Sequence, residues 1–433
     1  MKNLNFSYIK EKWSHTGFQK YLKSTGWSMS SRVLSMAVSF LATVFIAREL
    51  GPTNFGQLSY AISFVAIFSF TASMGIDYIL YRELIKNPDN KEKLLGSAFI
   101  IKVVAGTITA IICILFSAIF TADDVSKILI IILTGTFIFG SFQIINHDFQ
   151  SRAESKYPAI ITFITGIIIN ISKIIVIFLG KGVIYLSLVL LLESILYALF
   201  YWYIYKKKLS GKITRWKYDT TTTISLLKDS WPLIFSGAFV LIYSRIDQIF
   251  IKHMLDASSV GIYDSAVRIA EVWYFIPSII VTALFPAIIH AKKISEESYN
   301  LRLGRLALLL FIIPVLISLP LTILAPFIMQ TLYGHAFIGG TIILQIYIWA
   351  SIGIFLGTLV TNYLIAENCK KILLFVSLIP MITNVLLNLL WIPSFGIVGS
   401  AYATLVSYLL IPLSILLFKE TGTRIVMVYR SLI

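Results

Sequence analysis

The sequence predicts an all-α integral membrane protein with about twelve membrane-spanning helices and little soluble mass. Three observations carry this. Hydrophobic residues make up 58% of the 433 positions and charged residues only 13%, about half the charged share of a soluble domain and too few to coat a globule of this length. The apolar residues run continuously over stretches of about 20 or more, enough for a helix to cross a bilayer core about 30 Å thick. They lack the alternation of a β-barrel strand. Lysine and arginine, finally, alternate between the stretches in step with the span count.

Taken in order, spans are expected near 24–47, 57–81, 94–120, 128–147, 158–179 and 183–205, then near 230–253, 261–290, 303–326, 340–366, 372–392 and 397–418. This gives an N-terminal tail (1–23), an N-terminal six-helix bundle (24–205), a basic linker (206–229), a C-terminal six-helix bundle (230–418) and a C-terminal tail (419–433). Of the 36 lysines and arginines, 27 fall on one side of this map, four on the other and five inside spans. The positive-inside rule then predicts that both termini and the linker are cytoplasmic. The linker carries Lys206, Lys207, Lys208, Lys212, Arg215 and Lys217 and reads as a topology anchor in preference to a regulatory site.

The net charge of +15 does not point to nucleic acid, because the basic residues lie between apolar runs and form no patch on a polar domain. The first 23 residues lack the continuous apolar core of a signal peptide. Phe6, Ile9 and Trp13 among lysines fit either a helix lying on the membrane surface or a solvated tail. Cys113 lies in an apolar run and Cys369 beside Lys370 and Lys371, so no disulfide is expected. With no CxxC or HExxH pattern and five scattered histidines, neither a metal nor another cofactor is expected.

The two halves carry a repeat. FIARELGPTNFGQLSYA at 45–61 aligns with FIKHMLDASSVGIYDSA at 250–266, matching Phe45 with Phe250, Ile46 with Ile251, Leu50 with Leu255, Gly56 with Gly261 and Ala61 with Ala266. Each stretch joins the first and second helix of its half. Repeats of six helices keep one orientation in the membrane, which predicts a pseudo-twofold axis along the membrane normal and a cavity between two bundles. Prolines separate the halves. Pro158 opens a span in the first, whereas Pro232, Pro277, Pro286, Pro314, Pro320, Pro326, Pro380 and Pro412 lie in or at the ends of spans in the second. A stiffer first bundle and a more bent second one are therefore expected.

A charge at the bilayer centre costs roughly 2.5–3.5 kcal/mol by insertion scales, so charges inside spans need a reason. Arg245, Asp247 and Gln248 lie in the seventh span, and Asp264, Arg268 and Glu271 share one face of the eighth at i, i+4 and i+7. They read either as an ion-pair latch or as a wet cavity, with cationic sites for an anionic substrate and carboxylates for ion coupling. Arg32, in the first span, either snorkels to the cytoplasmic face or completes a cationic cavity with Arg245 and Arg268. Lys173 and Glu193 lie at similar depths in neighbouring spans and read as an ion-pair candidate. Asp77 is placed to pair with Arg82, Lys102 is shallow enough to snorkel, and Asn384 and Asn388 read as interhelical hydrogen-bond glue. No catalytic constellation stands out, so a transporter is expected and not an enzyme.

VGIYDSAVRIAEVWYFIPSIIVTALFP at 260–286 resembles the eighth-helix region of bacterial O-antigen and polysaccharide flippases. IARELGPTNFG at 46–56, RIDQIFI at 245–251 and NLLWIPSFGIVGSAYAT at 388–404 resemble their first external loop, seventh helix and last interhelical link. The resemblance implies a fold similar to the multidrug and toxin extrusion transporters. It also implies a passenger, an oligosaccharide on undecaprenyl pyrophosphate, crossing the bacterial cytoplasmic membrane by alternating access, with a proton or sodium ion as coupling partner. A polysaccharide polymerase and assembly proteins would be its neighbours. Two other readings remain open at this point. One is a cation-coupled multidrug exporter of the same fold, which needs an acidic or aromatic cavity. The other is a membrane polysaccharide polymerase, which needs a large external loop.

Overall fold

The computed structural model describes residues 16–208, 213–367 and 369–418, with side chains from residue 33 onward except at 232, 233 and 370. The tail residues Phe6, Ile9 and Trp13, the side chain of Arg32, Lys212 and the tail 419–433 lie outside the described residues. Every regular element described is helical. Among the described residues ten apolar helical stretches are long enough to cross a membrane, and two of them, Val33–Lys86 and Lys371–Leu417, hold 54 and 47 residues. A straight helix of about 50 residues runs about 75 Å at 1.5 Å per residue, more than twice the hydrocarbon thickness. Each long stretch is two helices joined across a kink, at Gly51 (φ 71°, ψ 170°) and at Gly396 (φ 60°, ψ −143°). The two kinks bring the crossings to the twelve expected. Ile323, Phe178 and Leu417 are each more than 70% exposed, as lipid-facing side chains are. The chain is a multi-pass membrane protein.

Two compact units make up the chain: residues 1–43 with 71–231, and residues 44–70 with 232–433. Helix α1 (Thr16–Ser73) and helix α8 (Thr220–Met254) each contribute to both.

The first unit contains α2 (Ile76–Lys86), α3 (Lys91–Phe120), α4 (Asp124–Phe139), α5 (Ile144–Ser151), α6 (Lys156–Phe178) and α7 (Val183–Lys208). Its linker is shorter than the polar stretch 206–229 suggests, because α7 runs to Lys208 and α8 already begins at Thr220. Asp219 starts that helix by accepting the Thr222 N–H at 2.8 Å and the hydroxyls of Thr221 and Thr222. These donors, Thr222 foremost, lower its carboxyl to about 2. The linker also docks on α3. Lys217 N–H donates to the Glu92 carbonyl at 3.1 Å, Gly96 admits the Lys217 backbone where a Cβ would come within 2.5 Å of its carbonyl oxygen, and Trp216 packs edge-on against Phe99 and Tyr205.

The second unit contains α9 (Ala257–Glu271), α10 (Ile276–Lys292), α11 (Glu296–Tyr333), α12 (Gly340–Tyr347), α13 (Ser351–Ala366) and α14 (Lys370–Ser414). Here the repeat acquires a physical meaning. A Cβ on Gly56 would come within 1.7 Å of the Ala257 carbonyl oxygen, and a Cβ on Gly261 within 2.1 Å of the Pro52 carbonyl oxygen. Pro52 and Ala257 are themselves equivalent positions of the repeat. The two equivalent helix beginnings therefore cross reciprocally, each glycine against the other helix's backbone. Such close approach is the usual means of packing membrane helices, since lipid provides no hydrophobic drive between them.

Proline placement told only part of the bending. Three-residue-per-turn segments interrupt spans at Val272–Phe275 and Ile348–Ala350 in the second unit. Pro277 explains the first, because it lacks the N–H that would reach the Trp273 carbonyl, and Ile276 N–H takes that carbonyl instead. But the first unit bends too, at Gly140–Gln143 and at Met74–Gly75, where both residues have positive φ (48° and 58°). Neither site has a proline, so the expected contrast in stiffness between the halves does not extend to these breaks.

The glycine crossing predicts a directional result. Gly56→Val or Gly261→Val must displace backbone, and overpacking of this kind costs about 1–3 kcal/mol or more. Either variant should unfold at a clearly lower temperature in detergent than wild type. Gly237→Ala, where a Cβ meets nothing within 4 Å, should unfold at or slightly above the wild-type temperature.

Candidate functional site

The charged residues of the seventh and eighth spans meet in the second unit. Asp256 fixes the start of α9 by accepting the Ser259 N–H at 2.7 Å, which sets the rotation of the Asp264, Arg268, Glu271 stripe. Arg245 and Gln248, three residues apart on α8, face that stripe. Asp264 is 1% exposed and takes donors from three helical segments. Gln248 Nε2 donates to Oδ1 at 2.7 Å, while Ser59 Oγ and Arg268 Nε donate to Oδ2 at 2.7 and 2.6 Å. Ser63 in turn donates to Gln248 Oε1. Next along the stripe, Arg245 pairs with Glu271 at 3.2 Å, and Tyr347 donates to the other Glu271 oxygen at 3.4 Å.

Arg268 is only partly used. Its Nε serves Asp264, its guanidinium lies 5.4 Å from the centre of the Phe55 ring, and its side chain is 31% exposed. Its two terminal nitrogens donate to nothing among the described residues. An arginine held at one edge and open at the other is set to receive a second anion in the bidentate manner.

Asp247 has a different surrounding. It is 3% exposed and faces away from the stripe onto α14. Tyr263 donates to Oδ2 at 2.7 Å, Thr404 donates to the same oxygen, and Asn388 Nδ2 donates to Oδ1 at 3.0 Å. Ser400 holds Asn388 through its Oδ1 at 2.7 Å, and Asn388 also donates to Asn384 Oδ1 at 3.1 Å. Asn388 thus orients a buried carboxylate as well as joining helices. All of these donors are neutral, and no lysine or arginine pairs with Asp247 among the described residues.

The remaining sequence candidates are elsewhere. Lys173 and Glu193 are partly buried on α6 and α7 of the first unit, and the side chain of Arg32 lies outside the described residues. Two pairings differ from expectation. Asp77 accepts from Lys102 and from His147, the latter at 3.0 Å, and not from Arg82, which pairs with Asp229 and Glu83. Lys102 does not snorkel, being 6% exposed and bound to Asp77. Sequence reasoning missed Ser59, Ser63, Tyr347, Ser400 and Thr404. Ser59 and Ser63 had a signal, since they are the repeat equivalents of Asp264 and Arg268. Among the described residues no three His, Cys, Asp or Glu side chains gather as a metal site.

Residues 21–292 match the family model described as polysaccharide biosynthesis protein, and residues 213–425 match that of the lipid II flippase MurJ. A Haloferax volcanii protein named "Probable flippase AglR" is 22% identical over 90% of this chain and 81% of its own length. In structure, the chain is similar to the lipid II flippase MurJ in an inward closed conformation, with TM-score 0.72 and 18% identity over 93% of this chain and 90% of that one. It is equally similar to an inward-facing multidrug resistance MATE transporter, with TM-score 0.72 and 13% identity over 91% and 96%. These likenesses establish the fold expected from the sequence, and the first family match, which covers well over half of the residues, establishes that the chain belongs to the polysaccharide biosynthesis protein family.

Proposed function

We propose that the chain is a flippase. It moves an undecaprenyl-pyrophosphate-linked oligosaccharide, the repeat unit of O-antigen or another surface polysaccharide, from the cytoplasmic to the periplasmic leaflet of the bacterial cytoplasmic membrane. Both termini lie in the cytoplasm, and transport proceeds by alternating access. The observation that carries this reading is Arg268, a membrane-embedded guanidinium with its terminal nitrogens uncommitted and a third of its side chain exposed. Family membership and the flippase-named relative support the class of passenger. Arg245, also 31% exposed, adds a second cation, and Arg32 is a third contact in the same proposal. A pyrophosphate needs such partners to leave water, whereas the lipid tail stays in the bilayer. A multidrug exporter of this fold would instead present carboxylates to a cationic drug, and Asp264 is already committed to Arg268.

Asp247 is the coupling site in this proposal. A carboxylate held by neutral donors has room in its charge balance for one proton or one sodium ion, which Asp264 and Glu271, each facing an arginine, do not. A sugar-polymerising enzyme and assembly proteins on the far leaflet complete the pathway.

Arg268→Lys keeps the charge opposite Asp264 and loses the fork. Hydrogen bonds between charged groups are worth about 1.5–3 kcal/mol, so flipping of lipid-linked oligosaccharide should fall roughly tenfold to a hundredfold with normal membrane insertion. Arg268→Ala should be worse, because it leaves Asp264 without a counter-ion. Normal surface polysaccharide in both variants would sink the cationic contact. Asp247→Asn should insert normally and transport at a low rate that no longer responds to ionophores. If wild-type flipping persists after proton and sodium gradients are collapsed, the coupling role is wrong.

A further inference from the structure

The first unit carries a groove that the proposed function does not use. It holds about 440 Å³ and lies between α3, the start of α8 and the helix break at Met74. Its whole lining belongs to that one unit. We propose that this groove binds one acyl chain of an anionic phospholipid, with the phosphate held by Lys93 and Lys217 at its mouth.

The walls follow from the helices. On α3, Ile100, Val104, Ile108 and Ile112 line the groove at intervals of four residues, which makes them one stripe. They are 39–52% exposed, whereas Lys102, Gly106, Ala110 and Cys113 on the other side of the helix are buried. The stripe therefore faces lipid. The opposite wall is Thr223 and Leu227, one turn apart on α8. It stands there because Asp219 starts α8 early and the Lys217 backbone docks on Glu92 and Gly96 of α3. At the far end Thr71 and Thr109 close the groove, their hydroxyls hydrogen-bonded at 2.9 Å.

Length identifies the chain. Ile100 to Ile112 is a rise of about 18 Å, close to half of a hydrocarbon core about 30 Å thick. The groove thus runs from the membrane surface to the midplane, the reach of a phospholipid chain within one leaflet. An undecaprenyl tail is longer and would have to leave it. The volume falls within the roughly 300–1,000 Å³ of ligand sites.

Charge identifies the headgroup. Tyr218 lines the mouth, and the residue before it is Lys217. Lys93 is in the first turn of α3, and Lys93, Arg215, Lys217 and Tyr218 are all exposed. Glu92 and Asp219 are the acids beside them. Asp219 already accepts from the threonines that start α8, and Lys93 lies near it without bridging it. Neither Lys93 nor Lys217 forms a salt bridge among the described residues. Two lysines at the headgroup level, beside a tyrosine with its phenol at the interface, attract a lipid phosphate that carries net negative charge.

The test is photolabelling of the full-length protein, purified in mild detergent, with phosphatidylglycerol bearing a diazirine in one acyl chain. Label is mapped by peptide mass spectrometry. Label on peptides covering 100–112 and 218–227 should saturate near one per protein. Unlabelled phosphatidylglycerol should compete better than phosphatidylcholine with the same chains. K93Q/K217Q should weaken phosphatidylglycerol binding roughly thirtyfold, the effect of two interfacial lysines, and leave phosphatidylcholine unchanged. A105F places a ring in the groove and should abolish saturable label. V104W, on the exposed wall, is the second variant should A105F fail to fold. I119F, on the exposed far end of α3, should behave as wild type. Label that never saturates, or that spreads evenly over lipid-facing helices, would overturn the proposal. Equal competition by phosphatidylcholine, or a K93Q/K217Q variant that binds as wild type, would do the same. Undecaprenyl phosphate that competes more strongly than phosphatidylglycerol would assign the groove to the passenger instead. No transport is measured, so the result stands apart from the flippase reading.

Discussion

The structure depends on one constraint, the cost of placing a charge among lipid. A lone charge in a span costs a few kcal/mol, and the second unit contains five such groups within two neighbouring spans. They are tolerated because α8 and α9 are rotated so that each arginine finds a carboxylate. That rotation is set elsewhere. The glycine crossing brings the segment around Gly56 against α9, which places Ser59 and Ser63 where they complete the hydrogen bonding of Asp264 and Gln248. Replacing the small residue would do more than loosen a contact, since it would move the donors that make a buried carboxylate affordable.

The same crossing explains what the internal repeat is for. Equivalent positions of two duplicated segments need not touch. Here Gly56 meets Gly261 and Ser59 meets Asp264, each pair related by the repeat. A contact that joins a position to its own equivalent is of the isologous kind, and these two pairs make it within the second unit. The chemistry has diverged between them. One copy has a hydroxyl donor where the other has the carboxylate acceptor, which turns an equivalent pair into a complementary one.

Hydropathy and charge spacing made the spans, the fold class and the repeat legible, because each is a property of chain length and period. Among ion partners, those that share a helix were the most legible. Asp264, Arg268 and Glu271 follow from helical spacing, and the Arg268–Asp264 pair is a direct consequence. Asp77 and Arg82 show the limit. Five residues apart, they point about 140° away from each other on a helix, and the partner of Asp77 comes from spans whose rotation no local pattern encodes. The early start of α8 was hidden for another reason. A run of threonines reads as loop until Asp219 is recognised as its cap. Ser400 and Thr404 looked like ordinary small residues of a packed span, because what gives them a role is the buried Asp247 facing them.

The contrast between the two buried aspartates follows from their partners. Asp264 and Asp247 are both nearly inaccessible, and both accept from three side chains. For Asp264 one donor is a guanidinium, so the carboxylate is balanced at all times and a second cation would leave an excess of positive charge. For Asp247 every donor is neutral, so the charge is stabilised by dipoles alone. Dipoles can turn to accommodate a bound cation, whereas a fixed counter-ion competes with it. Two of these donors, Asn388 with Ser400 behind it and Thr404, come from a single helix, α14, which is itself broken at Gly396. The charge of Asp247 is thus met by dipoles on both sides of the Gly396 break, Asn388 before it and Thr404 after it.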